Sequence, residues 1–262
     1  MATMELRPGY REWAPSRELR PLVSCLWTSV ARSGEPTIVL PDACADLIWQ
    51  QGSGAFVAGP DTGPFSSALP AGTMLVGVRL RPGAGGPALG LPLVELRDQR
   101  VDLAGILPEF AKRLPGDLSA GAALAQLTAM VTGLAAEQAP DPLVTRAARV
   151  LAASDNHAGE LASRLGVSER QFRRRCLDAV GYGPKTLHRI LRFRRFVSKL
   201  DAAGTRMDLA QAAADAGYAD QAHLTRESVR LSGLPPAALV RVRRGWPSPP
   251  GPAGGAGGAG GA

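Results

Sequence analysis

Arg170, Arg173 and Arg174 crowd into one short segment, SERQFRRRC, together with Ser168, Glu169 and Gln171. A guanidinium is a planar fork of donors that can pair bidentately with guanine O6 and N7, or hold a phosphate oxygen. These side chains surround the outward face of a segment whose Phe172 points inward. A second set, Gln221, Ala222, His223, Thr225 and Arg226, follows Asp220. It mixes amide, imidazole, hydroxyl and guanidinium, the groups that read base edges. The chemistry on offer is contact with a polyanion, with no bond making or breaking.

Such contacts need a rigid element to carry them. In residues 159–176, GELASRLGVSERQFRRRC, Leu161, Ala162 and Leu165 share a helical face. Gly166 supplies the tight turn, where positive φ is cheap only for glycine. Ser168 is an N-cap, and Gln171 three residues later completes a capping box. Helix, glycine turn and capped helix make a helix-turn-helix unit with an Arg-rich outer surface. Residues 208–231 repeat it, with Leu209, Ala210, Ala213 and Ala214 as the inner face. There Gly217 is the turn, Asp220 the cap, and Leu224 stands for Phe172. Between the units, residues 184–201 read as a basic amphipathic helix. Leu187, Ile190, Leu191, Phe193 and Val197 form its apolar side, with Lys185, Arg189 and Arg192 as phosphate candidates. About 16 helical residues span ~24 Å, so two readers near one DNA turn apart, ~34 Å, are expected.

Charge is segregated in the same sense. Of the formal net charge of +7, residues 157–262 hold 17 Lys and Arg against 8 Asp and Glu, and residues 1–156 hold 13 against 15. A basic half beside a neutral one points to an anionic partner, double-stranded DNA. The three cysteines are too few and too odd for a disulfide framework. The start is polar, and no stretch approaches the ~20 apolar residues of a membrane span. A cytoplasmic protein with no membrane contact is expected.

The first half reads as β. Short apolar runs at 23–30, 37–40, 45–49, 55–58 and 74–78 are cut by Gly, Pro and Asp. Residues 80–90 read as a Gly/Pro-rich loop. Arg79 and Arg81 stand just before it at strand spacing. They are candidate ligands for a carboxylate or phosphate, against the plainer reading of a turn after a strand. Helix begins near Leu103, and residues 117–137 fit one helix. The Pro140–Pro142 break marks the boundary to a further helix over 143–154. Cys44, between Asp42 and Asp46, is the one plausible nucleophile. With no histidine before His157 it lacks a base or a ligand set, and a buried structural cysteine is expected. No cofactor, metal or catalytic residue is expected.

The segments SERQFRRRC, GYGPKTLHRILRFRR, DLAQAAADAGYADQAHLTRE and GLPPAAL resemble the AraC/XylS family of transcription regulators over about residues 141–243. The resemblance implies seven helices, two helix-turn-helix units bridged by a long helix, and reader helices at 168–177 and 220–231 entering adjacent major grooves. Two positions depart from the family pattern, which has aromatics where Cys176 and Ser228 stand. A smaller residue at each is expected to loosen the ends of the readers by about 1 kcal/mol. VLPDACADLIW, VAGPDTGPF and VGVRLRPGAGGPALG resemble a small β-rich domain found before AraC-type domains, with no ligand assigned.

The expected fold is α+β, a β-rich N-terminal domain followed by an all-α DNA-binding domain with two helix-turn-helix units. The expected division is residues 1–115, a helical connector 116–140, the DNA-binding domain 141–246, and a disordered Pro/Gly/Ala tail 247–262. The leading function is a non-enzymatic, sequence-specific transcription regulator, working as monomer or homodimer. RNA polymerase and an unidentified small-molecule effector are its further candidate partners. The alternatives are an enzyme targeted to DNA through Cys44, and a ligand-independent architectural DNA-binding protein.

Overall fold

The computed structural model describes residues 9–32, 36–137, 139–153, 158–203 and 208–244; the tail at 247–262 lies outside them. The N-terminal strands are β1 Arg11–Trp13, β2 Val23–Val30, β3 Thr37–Val39, β4 Ala45–Gln50, β5 Gly54–Ala58, β6 Phe65–Ser67, β7 Met74–Leu80 and β8 Arg100–Asp102. Six form one antiparallel sheet in the order β1-β2-β7-β4-β5-β8, and β3 pairs with β6 in a separate two-stranded ribbon. The helices are α1 Gly85–Leu89, α2 Pro108–Ala111, α3 Ala120–Glu137, α4 Pro142–Ala153, α5 Ala158–Arg164, α6 Glu169–Val180, α7 Pro184–Ala203, α8 Leu209–Asp215, α9 Gln221–Ser232 and α10 Pro236–Arg244. The α+β expectation holds.

Period-two patterning sets the sheet. Along β7, Met74, Val76, Val78 and Leu80 are buried among Leu47, Trp49 and Val57 of the neighbouring strands. Helix α3 crosses this face and fills it with Ala123, Leu127, Met130 and Val131. Trp49 closes the lower edge, donating its indole N–H to Pro115 O at 2.8 Å. The short strands β1, β6 and β8 have three residues each, too few for alternation to show in the sequence. Residues 80–90, expected as loop, contain α1, which ends at Gly90 in the left-handed region (φ 70°).

The C-terminal core is a separate cluster. Leu187, Ile190, Phe193, Phe196 and Leu200 of α7 lie at its centre, with Val144 and Leu151 of α4, Phe172 of α6 and Leu224 of α9 around them. Two residues of the N-terminal half join it, Leu40 at its margin and Ala43 inside. Ala43, 2 % exposed, packs into this cluster from the turn between β3 and β4, and adopts φ 68°, which non-glycine residues rarely do. The inner face of α8 is Ala212 and Ala213, with Ala216 at the turn, whereas Ala210 and Ala214 are exposed. Counted back from the turn glycines, 212, 213 and 216 stand where Leu161, Ala162 and Leu165 stand in the first unit. Of the expected face, Ala213 is buried and Leu209 packs against the core, while Ala210 and Ala214 are not part of it.

Leu127 is fully buried between α3 and the sheet. Leu127→Ala should cost about 3 kcal/mol through lost burial and the cavity left behind, read as a lower urea midpoint with an unchanged slope.

Candidate nucleic-acid interface

In the first unit Gly166 (φ 71°) turns the chain between α5 and α6. Ser168 Oγ accepts from the Gln171 amide at 3.2 Å, and Gln171 Oε1 accepts from the Ser168 amide at 3.0 Å, so the reciprocal box is complete. Phe172 and Cys176 are buried under α6, which sends Ser168, Glu169, Arg170, Gln171, Arg173 and Arg174 to its exposed side. Three guanidinium groups are thus concentrated on one exposed face, each with a planar fork of donors turned to solvent. Ser168 and Gln171 already use acceptors on the cap. Arg175 points the other way, binding both Asp141 oxygens at 2.7 Å. Asp141 also caps α4, accepting from the amides of Leu143 and Val144. Burial works against its ionised form, but the Arg175 hydrogen bonds and these amides hold its pKa below the usual carboxylate value.

The second unit turns at Gly217 (φ 82°), and Asp220 caps α9, accepting from the His223 amide. Asp220, Gln221, Ala222 and Arg226 are exposed, while His223 and Thr225 are half-buried. Thr225 donates to Gln221 O at 2.9 Å. Val229, two turns along the same helix, is 47 % exposed, an apolar residue where the buried period demands none.

The basic residues of α7 divide. Lys185 is exposed. Arg192 is not, with its guanidinium 4.5 Å over the Tyr218 ring, 3.3 Å from His223 Nε2 and 4.0 Å from Glu227. Arg189 reaches Glu227 at 3.2 Å, and His223 meets Tyr218 edge-on with ring centres 5.2 Å apart. Arg189, Arg192 and His223 are thus gathered around Glu227 and Tyr218, where they bolt α7 to the second unit. No sequence pattern announced this network, because its members lie on three different elements.

Cys176 and Ser228 are both fully buried. Ser228 Oγ donates to Leu234 O at 2.7 Å, and Ser232 Oγ donates to Ser228 O at 2.7 Å. At Ser228 hydrogen bonds tie the end of α9 to the start of α10 in place of aromatic packing. The Cys176 thiol is pushed up to about 12 by burial.

Arg79 and Arg81 are not brought together. Arg79 meets Glu12 at 3.0 Å, Asp42 at 3.1 Å and Asp46 at 3.2 Å, so its charge is compensated within the fold. Arg81 donates to Arg20 O at 2.7 Å. The glycine-rich segment after them approaches protein. Gly83 O accepts from the Asp141 amide at 3.0 Å, and a Cβ on Gly86 would lie 2.4 Å from Asp178 O of α6. Burial, aided by Asp42, pushes the Cys44 thiol well above its ordinary value, the reverse of what a nucleophile needs. No group of three or more metal-ligating side chains occurs among the described residues. No described helix is long and apolar enough to cross a membrane.

Residues 161–241 match the model of a helix-turn-helix domain family, and residues 11–102 that of a domain of unknown function. No curated protein matches the chain. Among solved structures, it is similar to the 1.65 Å structure of ToxT from Vibrio cholerae, with 10 % identity, 82 % of this chain and 98 % of that chain covered, and a TM-score of 0.47. A ToxT structure bound to (E)-4-(8-methylnaphthalen-1-yl)but-3-enoic acid gives 9 % identity, 82 % and 98 % coverage, and a TM-score of 0.46.

Two outcomes follow from the caps. Ser168→Ala should lower stability by about 1 kcal/mol, with Ser168→Asp restoring it, by urea titration. The Asp141 contribution should be complete above the usual carboxylate pKa of ~3.9 and vanish as pH falls through the depressed native value. Asp141→Asn should remove that part of the acid dependence.

Proposed function

We propose that this chain is an AraC-type helix-turn-helix DNA-binding transcription regulator whose α6 and α9 enter two successive segments of the major groove. The observation that carries this reading is the shared design of the two helices. Each is capped by a side chain at its start, buried on one face, and polar and exposed on the other.

In this reading Arg170, Arg173 and Arg174 supply base-edge and phosphate contacts to the first segment, with Glu169, Ser168 and Gln171 framing them. Gln221, Ala222 and Arg226 read the second, flanked by Asp220, Thr225 and His223. Lys185 holds backbone phosphate. Arg189 and Arg192 act by fixing α9 against α7. Because the outer faces differ in composition, the two half-sites differ in sequence, and one chain suffices for one asymmetric site. The N-terminal domain modulates this binding through its contacts with α4, α6 and α7. The protein works in the cytoplasm, where it meets duplex DNA and, at a promoter, RNA polymerase.

Selection from a random duplex library followed by footprinting tests the proposal. The expected result is one bipartite protected site. Arg173→Ala should weaken binding by about 1–3 kcal/mol if Arg173 pairs with a base, and Arg32→Ala should leave it unchanged. Loss of a phosphate contact should instead reduce the salt slope of log K by about 0.9. Retention of all selected duplexes no better than competitor DNA at moderate salt would overturn the reading.

A further inference from the structure

The segment joining β5 to β6, Pro60-Asp61-Thr62-Gly63-Pro64, lies tightly against the end of α6 and runs alongside the end of α9. Helix α6 ends at Gly181 (φ 80°) and α9 at Gly233 (φ 73°), each glycine closing its helix by donating to a carbonyl one turn back. A Cβ on Gly181 would lie 2.6 Å from Pro60 Cγ and 3.0 Å from Leu93 O. A Cβ on Gly233 would lie 3.9 Å from Pro64 Cγ, and one on Gly63 would lie 3.8 Å from Arg230 O of α9. Two prolines four residues apart thus stand by two helix ends of different helix-turn-helix units, Pro60 in close approach to α6 and Pro64 beside α9 with room for one methyl between.

The loop is braced more heavily than a strand connection requires. Asp61 receives both arms of Arg100 at 2.8 and 2.7 Å, and that guanidinium also lies 3.8 Å over the Phe65 ring. Asp98 accepts from the Thr62 amide at 2.6 Å and from its hydroxyl, and donates its own amide to Pro60 O at 3.2 Å. To do so Asp98 holds φ 59°, a costly conformation for a residue with a side chain. Gly59, just before the loop, passes so close to Leu96 O that a Cβ would lie 1.7 Å from it. Proline stiffness and these bonds narrow the shapes the loop can take.

We infer that residues 60–64 are a rigid spacer, supplied by the N-terminal domain, that sets the separation and relative angle of the two reader helices. Pro60 and Pro64 are therefore positioning residues for half-site spacing. They touch no DNA; they restrict how far α6 and α9 can shift relative to each other. The inference rests on the bipartite reading proposed above. Helix α7 alone joins the units through side-chain packing, whereas the loop adds a second brace at their far ends. A change in the N-terminal domain that moved this loop would change which spacing the protein accepts.

The test uses the full chain and the duplex it selects from a random library, re-made with one or two base pairs inserted or removed between the half-sites. Each added pair shifts the halves by ~3.4 Å and rotates them. Wild type should lose roughly tenfold in affinity per step away from its preferred spacing. Pro60→Gly/Pro64→Gly, and the milder Thr62→Val, should cut that discrimination to about threefold or less while binding the preferred duplex nearly as well. Pro60→Val/Pro64→Val, which keeps bulk at both contacts, should recover part of it. Thr62→Val serves where the double glycine variant melts early. Folded variants with wild-type spacing discrimination would overturn the inference, as would an equal loss of affinity at every spacing. A wild type that prefers no duplex would overturn the bipartite reading, and the spacer with it.

Discussion

Helix α7 supplies the apolar ridge on which both helix-turn-helix units close. Leu187, Ile190, Phe193 and Phe196 have no exposed surface, and each unit is too short to bury its own inner face. Phe172 with Cys176, and Leu224 with Ala213, find their cover on this shared ridge. Burying a large apolar side chain is worth about 1.5–3 kcal/mol. One helix therefore both stabilises the two units and fixes their order along the molecule. The polar margin of α7 finishes the job on the second unit, where Arg189, Arg192 and Glu227 replace hydrophobic contact with a half-buried charge network. Such a network carries directional bonds, which a smooth apolar ridge does not.

The same residue type serves opposite ends in this domain. Arg170, Arg173 and Arg174 face solvent, whereas Arg175 and Arg192, on the same two helices as exposed cations, turn inward to Asp141 and to Tyr218 with Glu227. Net charge told of an anionic partner but not of this division. What decides it is whether a carboxylate or an aromatic face sits within reach of the stem, and that depends on tertiary contacts. The caps were different. Ser168 with Gln171, and Asp220, act on amides only three residues away, so local sequence carried the whole instruction. The turn glycines were legible for the same reason. The inner face of α8 was misread because alanine supplies too little hydrophobic contrast to fix a register.

The N-terminal half was legible as β at its longer strands and at β3, where an apolar run stands between turn residues, and illegible at the three-residue strands β1, β6 and β8. Its glycine-rich segment read as a loop after a strand, with a ligand beside it as the other reading; what approaches it closely is protein. The approaching elements are α4 and α6. Gly83 and Gly86 meet backbone atoms of residues 141 and 178, and a sequence cannot say which surface will come so near. The three carboxylate partners of Arg79 come from β1, β4 and the turn before β4, so its pairing was not legible from neighbouring residues.

These contacts determine how the two halves communicate. Ala43 sits in the core of the DNA-binding domain, held by a turn in which the Cys44 amide donates to Asp42 and Asp42 pairs with Arg79. Arg194 of α7 stands 4.0 Å from the same carboxylate. Burial opposes ionisation of Asp42, yet the charges of Arg79 and Arg194 hold its pKa below the ordinary value. One carboxylate therefore links the sheet to the central helix of the other half. Side chains in a packed interface can yield by changing rotamer; backbone against backbone, as at Gly83, Gly86 and Gly181, has no such freedom. A shift of the sheet relative to α7 must then either move the helix ends with it or open the interface. The N-terminal domain is in this sense part of the frame that holds the reader helices, and any signal it receives has a short mechanical path to them.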